Sequence, residues 1–146
     1  VYTHNMIANE LCNCNILRNS SSKITSIYDK ALLHTGVKVT QYGLLKYVYL
    51  LKSSNLSQLS AALYQDRSTL GRNIRILERM KLVSINAGID KRQVQIELTN
   101  YGVFTLKEAR KAWELVQKKI ELKLGKKKQE QLIEILKNIE AIELKL

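Results

Sequence analysis

The side chains best able to do chemistry in this chain are arginines. Between residues 66 and 106 there are seven basic residues, and five of them are Arg67, Arg72, Arg75, Arg79 and Arg92. From residue 107 onward the preference reverses, with ten lysines beside the single arginine Arg110. A guanidinium presents a planar fork of donors that fits phosphate oxygens and the guanine edge, whereas lysine acts as a mobile point charge. The middle of the chain therefore reads as a surface that recognises an anion, and the last third as a solvated helical surface. Other reactive groups are few. His4 and His34 are the two histidines, and no His/Glu pair at helical spacing, glycine-rich phosphate loop or nucleophile with a nearby base accompanies them. Neither an enzyme nor a cofactor is expected. Cys12 and Cys14 are too few for a disulfide framework, and with His4 and His34 they fall short of a clear metal-ligand set. Structural thiols, redox-sensing thiols and a metal site are the three readings, in that order of expectation. On a helix the two cysteines would stand on roughly opposite sides and could not bridge each other, which leaves an intersubunit or mixed disulfide.

The composition sets the class of partner. Lys and Arg number 24 against 13 Asp and Glu, with a pI near 9.7, so an anionic partner is expected, and nucleic acid and acidic membrane are the two candidates. The excess is spread evenly: six basic against two acidic residues in 1–65, seven against four in 66–106, eleven against seven in 107–146. A hydrophobic share of 45% and a charged share of 25% are ordinary for a globular domain and argue against disorder. The longest uncharged apolar run, Tyr47 to Leu51, is far below the roughly 20 residues of a membrane span. Val1-Tyr2-Thr3-His4-Asn5 lacks the basic-then-apolar pattern of a secretory signal, so a cytoplasmic protein is expected.

These residues must be held by elements that the periodicity marks. The chain has no proline, which favours long helices. Ile7, Leu11, Cys14, Leu17, Ile24, Ile27, Tyr28 and Ala31 recur at helical steps from about Met6 to Leu33, with Asn19-Ser20-Ser21-Ser22 as a place where the helix could kink and Gly36 as its left-handed end. Thr40 reads as the N-cap of a buried helix ending near Lys52. Leu56 to Tyr64 is a short amphipathic helix. Asp66 then caps another, Arg67 to about Met80, whose apolar stripe is Leu70, Ile74 and Leu77. Two short helices joined by so tight a turn form a helix-turn-helix. After Lys81 the period becomes two: Leu82, Val83, Ile85, then Val94, Ile96, Leu98, separated by a basic tip containing Gly88, which makes a β-hairpin with one buried face. Thr99 caps a helix running past Trp113 to about Leu124. Gly125 interrupts, and a last helix carries Leu132, Ile133, Leu136, Ile139 and Ile142.

Four pieces in this order, Asp66-Arg67-Ser68-Thr69-Leu70, Leu77-Glu78-Arg79-Met80-Lys81-Leu82-Val83, Asp90-Lys91-Arg92 and Leu98-Thr99-Asn100-Tyr101-Gly102, resemble the MarR family of bacterial transcriptional regulators. The element order is similar over nearly the whole chain. The resemblance implies a mainly α fold with a small β-hairpin wing, a winged helix-turn-helix. It implies a dimer built from the N- and C-terminal helices, with 1–38 as N-terminal dimerisation helix, 39–100 as DNA-binding domain and 101–146 as C-terminal dimerisation helices. Two departures stand out. Lys81 occupies a position where the family usually has glycine, which costs about 1 kcal/mol if the backbone there is left-handed. Ile85 stands where arginine is frequent.

The family's partner is double-stranded DNA, read by a symmetric dimer on a palindrome with half-sites about one helical turn apart. On the 67–80 helix, Arg67, Ser68, Thr69, Arg72, Asn73 and Arg75 are left exposed or N-terminal. Arg72 to guanine and Asn73 to adenine are the expected base-edge contacts. Ser68 and Thr69 would meet phosphate or a thymine methyl, and Arg67 and Arg75 phosphates. Arg92 would enter the minor groove, with Asp90 holding Arg92 or Lys91 in place. Ile7, Leu11, Leu17, Trp113, Val116, Ile133, Leu136 and Ile139 are the expected dimer interface. Release from the operator is expected to follow a small phenolic or an oxidant. Tyr28, His34, Tyr42, Tyr47 and Tyr49 lie near the family's ligand cleft, and Cys14 aligns with the peroxide-sensing cysteine of one branch, where Tyr28 matches one of three tyrosines that bond the thiolate while Arg18 and Val39 replace the other two. Repression is the family's usual mode. A winged-helix module that binds protein or membrane through its lysine face, without reading DNA sequence, is the competing expectation.

Overall fold

A computed structural model of the chain describes residues 12–88, 90 and 93–143. Its order is α1 (Asn13–Leu32), a short 3-10 turn (Leu33–Thr35), α2 (Val39–Leu51), α3 (Leu56–Leu63), α4 (Arg67–Arg79), strands β1 (Val83–Ala87) and β2 (Val94–Leu98), α5 (Asn100–Leu124) and α6 (Lys126–Glu140). This is the mainly α, winged helix-turn-helix class expected from the periodicity. α1 runs through Asn19–Ser22 without a break; those four side chains are all exposed, so no buried group there competes for the backbone. Gly36, at φ 76°, ends the turn after it in the left-handed conformation, as expected.

α2 differs at its start. Thr40 is not its cap: the helix begins at Val39, and its first amides are served from elsewhere. Asp29 Oδ1 on α1 accepts from the Val39 amide at 2.8 Å, and Gln41 Oε1 accepts from the Lys38 amide at 2.9 Å. A carboxylate on a neighbouring helix thus does the capping.

The core joins α2, α3, α4, the base of the wing and the first half of α5. Leu32, Leu45, Leu59, Leu70, Leu77 and Ile96 are completely buried, each contributing about 1.5–3 kcal/mol of transfer free energy. The strands pair antiparallel from Val83↔Leu98 to Ala87↔Val94. Ser54, in the loop before α3, adds a bridge on the other edge of β2: its amide donates to the Ile96 carbonyl at 3.3 Å and its carbonyl accepts from the Ile96 amide at 2.7 Å. The hairpin's buried face is shorter than expected. Ile96 is sealed, but Val94, two residues towards the tip, is exposed.

A clasp closes the helix-turn-helix onto α5. Thr99 Oγ1 donates to the Lys81 carbonyl at 2.6 Å and accepts from the Gly102 amide at 2.9 Å, while the Thr99 amide donates to the Leu82 carbonyl at 3.1 Å. Gly102 leaves no room for a side chain, since a Cβ there would stand 2.0 Å from the Leu82 carbonyl oxygen. Lys81 has φ 61°, the left-handed conformation anticipated for a position that favours glycine.

The two ends of the chain are packed differently. α6 has no buried residue, and Leu132, Ile133, Ile135, Leu136 and Ile139 are all exposed along it. Ile16, Leu17, Ile24 and Ile27 are likewise exposed along α1. Among the described residues no helix is long and apolar enough to cross a membrane.

Two substitutions at the clasp are expected to act in opposite directions in denaturant titrations. Gly102→Ala lowers stability by about 2 kcal/mol or more, because backbone must move. Lys81→Gly raises it by about 1 kcal/mol by removing the left-handed penalty.

Candidate nucleic-acid interface

The apolar stripe of α4 decides what its other face presents. Leu70, Ile74 and Leu77 are buried against the neighbouring helices. At 100° per residue the opposite side carries Ser68, Arg72, Arg75 and Arg79, and all four are exposed. Arg67 is exposed in the first turn, and Thr69 is half-buried. Three guanidiniums spaced one turn apart therefore line one ridge. Arg79 was not among the expected contacts. Its spacing of four from Arg75 could have revealed it, although an arginine in the last turn of a helix also has an ordinary role beside the helix dipole.

Asn73 requires a correction. It follows Arg72 but sits 100° further round, on the flank of α4. There it is half-buried and lines a cleft with Lys38, Gln41 and Gln65 at the start of α2. It does not share the ridge with Arg72. Ser68 is less free than expected too, because its hydroxyl donates to Asp66 Oδ1 at 2.7 Å.

Asp66 organises the helix start. The same Oδ1 accepts from the Thr69 amide at 2.9 Å. The hydrogen bonds from Thr69, foremost, and from Ser68 hold this carboxyl far below the usual carboxylate range. Arg72 reaches back one turn, its Nη2 3.4 Å from Thr69 Oγ1. The carboxylate at the start of the helix is thereby engaged in capping.

The wing places Asp90 at the hairpin turn, where its carbonyl accepts from the Gln93 amide at 2.9 Å. Asp90 shares a polar groove with Ser53, Asn55, Gln58 and Gln93, beside the start of α3. Lys91 and Arg92 lie outside the described residues, as do Ile7 and Leu11.

A third concavity, of about 450 Å³, lies between α2 and α5. Tyr42 and Tyr49 line it together with Lys46, Lys107, Arg110, Trp113 and Glu114. Trp113 was expected at a dimer interface; instead it stacks within the chain, 5.9 Å from the Tyr42 ring and 6.4 Å from Tyr28. Lys46 Nζ lies 5.8 Å from the Trp113 ring centroid, and Arg110 pairs with Glu114 at 2.8 Å. Burial raises the Tyr42 phenol above its ordinary pKa. Tyr28 stands behind Trp113, its hydroxyl donating to Gln117 Oε1, and His34 is exposed outside the cleft.

Cys12 is the N-cap residue of α1 rather than part of it, and Cys14 is the helix's second residue; both thiols are exposed and free. Arg18 Nη2 stands 3.6 Å from Cys14 Sγ. Tyr28 is fourteen residues further along the same helix, about 21 Å away, so it cannot reach that thiol within one chain. Among the described residues no cluster of three His, Cys, Asp or Glu could hold a metal.

Comparison with known proteins places this geometry. No protein-family model and no curated sequence matches the chain. Solved structures do. The transcriptional regulator MosR of M. tuberculosis, in complex with DNA, is 31% identical, with a TM-score of 0.77 over 92% of this chain and 100% of that one. A mutant of MarR from E. coli, complexed with operator DNA, gives 0.78 at 17% identity over 86% of this chain and 91% of that one. BpsR of Bordetella bronchiseptica, solved for regulation of its DNA binding by 6-hydroxynicotinic acid, gives 0.78 at 17% identity over 90% and 95%. The last two share the fold.

The cap gives a pH-dependent prediction. Asp66→Ala should melt at lower temperature than the parent at neutral pH, whereas Asp66→Asn, whose amide oxygen still accepts, should stay close to it. A carboxylate whose pKa is depressed by folding stabilises above its unfolded value, here 3.8, and loses that contribution as pH falls below it. The gap between parent and Asp66→Ala should therefore close on acidification from about pH 4 downward, as read by thermal melts.

Proposed function

This chain belongs to the MarR family of winged-helix transcriptional regulators, and from that premise we propose that it is a homodimeric, sequence-specific DNA-binding repressor. Two copies bind a palindromic operator, each laying α4 in a major groove and its wing along the adjacent minor groove. The carrying observation is the guanidinium ridge of α4, three exposed arginines on the face opposite a fully buried apolar stripe. Arg72, at mid-helix and steadied by Thr69, is the base-reading arginine; Arg67, Arg75 and Arg79 hold phosphates. The DNA complex of MosR supports this choice of partner. No step of the function requires catalysis by the protein.

Dimerisation follows from the exposed apolar stripes of α1 and α6. Leaving five large aliphatic side chains bare on a fifteen-residue helix is unfavourable in water, and a second copy offers a matching stripe.

Two specific observations support control of release. The cleft between α2 and α5 has an aromatic floor and a largely cationic rim, which suits a small phenolic effector. Separately, the exposed Cys14 thiol stands 3.6 Å from the Arg18 guanidinium, open to an oxidant. A hydroperoxide would oxidise that thiol to the sulfenic acid and be reduced to the alcohol.

Selection of bound sequences from random duplexes tests the reading directly: a palindrome is expected, and absence of any sequence preference would favour a protein- or membrane-binding module instead. On the recovered duplex, Arg72→Ala should cost about 1–3 kcal/mol and relax preference at one position. Arg92→Ala should weaken binding more than about tenfold, with the fold and the dimer retained by circular dichroism and sedimentation. The two release routes separate in one experiment. A phenolic acid that occupies the cleft should quench Trp113, the sole tryptophan, as it frees DNA. Peroxide should free DNA from the parent chain and not from Cys14→Ser.

A further inference from the structure

Tyr64 is almost fully solvent-exposed, at 98%. It also stands in a conformation that disfavours it: φ 51°, ψ 39°, the left-handed region, at the C-cap of α3. L-residues lose roughly 1–2 kcal/mol there, and glycine is the common choice at the end of a helix. The chain uses glycine for this purpose elsewhere. Gly36 after the 3-10 turn and Gly125 after α5 carry the positive φ at two junctions, while Lys52 after α2 and Lys81 after α4 carry it at two others. A tyrosine in the same role, with its ring in water, gains nothing from the core and nothing from the backbone.

The turn around it is tightly fixed. The amides of Tyr64 and Gln65 both donate to the Ser60 carbonyl, the latter at 3.2 Å, and Ser60 Oγ donates to the Gln65 carbonyl. These bonds hold the backbone of residue 64 and leave its phenol aimed outward. Asp66, two residues on, caps α4, and Arg67 opens it. The Cα atoms of Tyr64 and Arg67 are therefore within about 11 Å, and a tyrosine side chain spans much of that distance. Tyr64 is thus an exposed residue three positions before the first residue of the reading helix.

We propose that Tyr64 is a DNA-backbone contact, its hydroxyl donating to a phosphate oxygen of the duplex that α4 reads. The assignment rests on the DNA-binding reading above and adds to it a residue outside the arginine ridge. The turn fixes the left-handed backbone, and a tyrosine kept there, where glycine would carry no penalty and the ring packs on nothing, points to a use for the side chain. Tyrosine hydroxyls are established phosphate donors, and such a contact positions the protein without reading sequence. A neutral donor also displaces no condensed counterion, so it adds affinity without adding salt dependence.

The test compares Tyr64→Phe and Tyr64→Gly with the parent chain by fluorescence anisotropy, on the duplex recovered by selection and on a random duplex of about 30 base pairs at low salt. Tyr64→Phe should bind both duplexes about tenfold more weakly, with the slope of affinity against salt unchanged and the melting temperature retained. Tyr64→Gly should bind at least as weakly while melting at higher temperature, because the strained residue is gone. Parent-like binding by Tyr64→Phe overturns the hydroxyl–phosphate contact, whatever Tyr64→Gly does. A parent chain that binds neither duplex overturns the DNA-binding reading itself, a result distinguishable from failure of the Tyr64 assignment alone.

Discussion

The backbone of Gly102 lies against the backbone of Leu82 closely enough to exclude any side chain at residue 102. Around that approach, the Thr99 hydroxyl bonds Lys81 on one side and the Gly102 amide on the other. Three elements meet there: the end of α4, the first residues of the wing and the first turn of α5. Each has a short apolar face that could not fix its direction alone. The clasp joins the end of α4 to the base of the wing, where β1 begins and β2 ends, with Val83 paired to Leu98. Everything the outer surface of α4 and the hairpin can reach follows from this small backbone junction.

The division of labour along α4 is equally strict. Its inward positions are aliphatic and sealed; the ridge on its opposite side carries Ser68 and three exposed arginines. Asp66 makes the arrangement compatible with charge. A carboxylate close to a polyanion is unfavourable, yet this one accepts two hydrogen bonds at the helix start, where the dipole also favours a negative group. Arginine, rather than lysine, then supplies the recognising groups because a fork with fixed geometry can discriminate where a point charge cannot.

Much of this was legible in the sequence. The helices, the hairpin, the cap at Asp66 and the cap at Thr99 follow from period and cap chemistry, which are local. The resemblance carried by Leu98-Thr99-Asn100-Tyr101-Gly102 acquires its physical cause in the clasp. What the sequence hid was tertiary. Asp29 caps α2 from another helix, so Thr40 was the natural local choice and the wrong one. Asn73 was grouped with Arg72 by adjacency, although a one-residue step turns it towards α2. Trp113 looked like interface because its partners, Tyr28 and Tyr42, are distant in the chain. Val94 alternates correctly, but alternation cannot tell how far burial extends along a strand. Gly36 shows the opposite case, where a backbone preference alone identified a left-handed position; at Lys81 it was the family resemblance that pointed to one.

The Ser54–Ile96 rung joins the wing to the loop that leaves α2. Two hydrogen bonds on one residue allow little slip, and only Lys52 and Ser53 separate Ser54 from the end of α2 at Leu51. A tilt of α2 is therefore delivered to the hairpin as a rigid lever would deliver it, with no slack to absorb the stroke. Since α2 is also one wall of the aromatic cleft, a molecule wedged there would pull on the far end of the protein through a coupling only a few peptide units long.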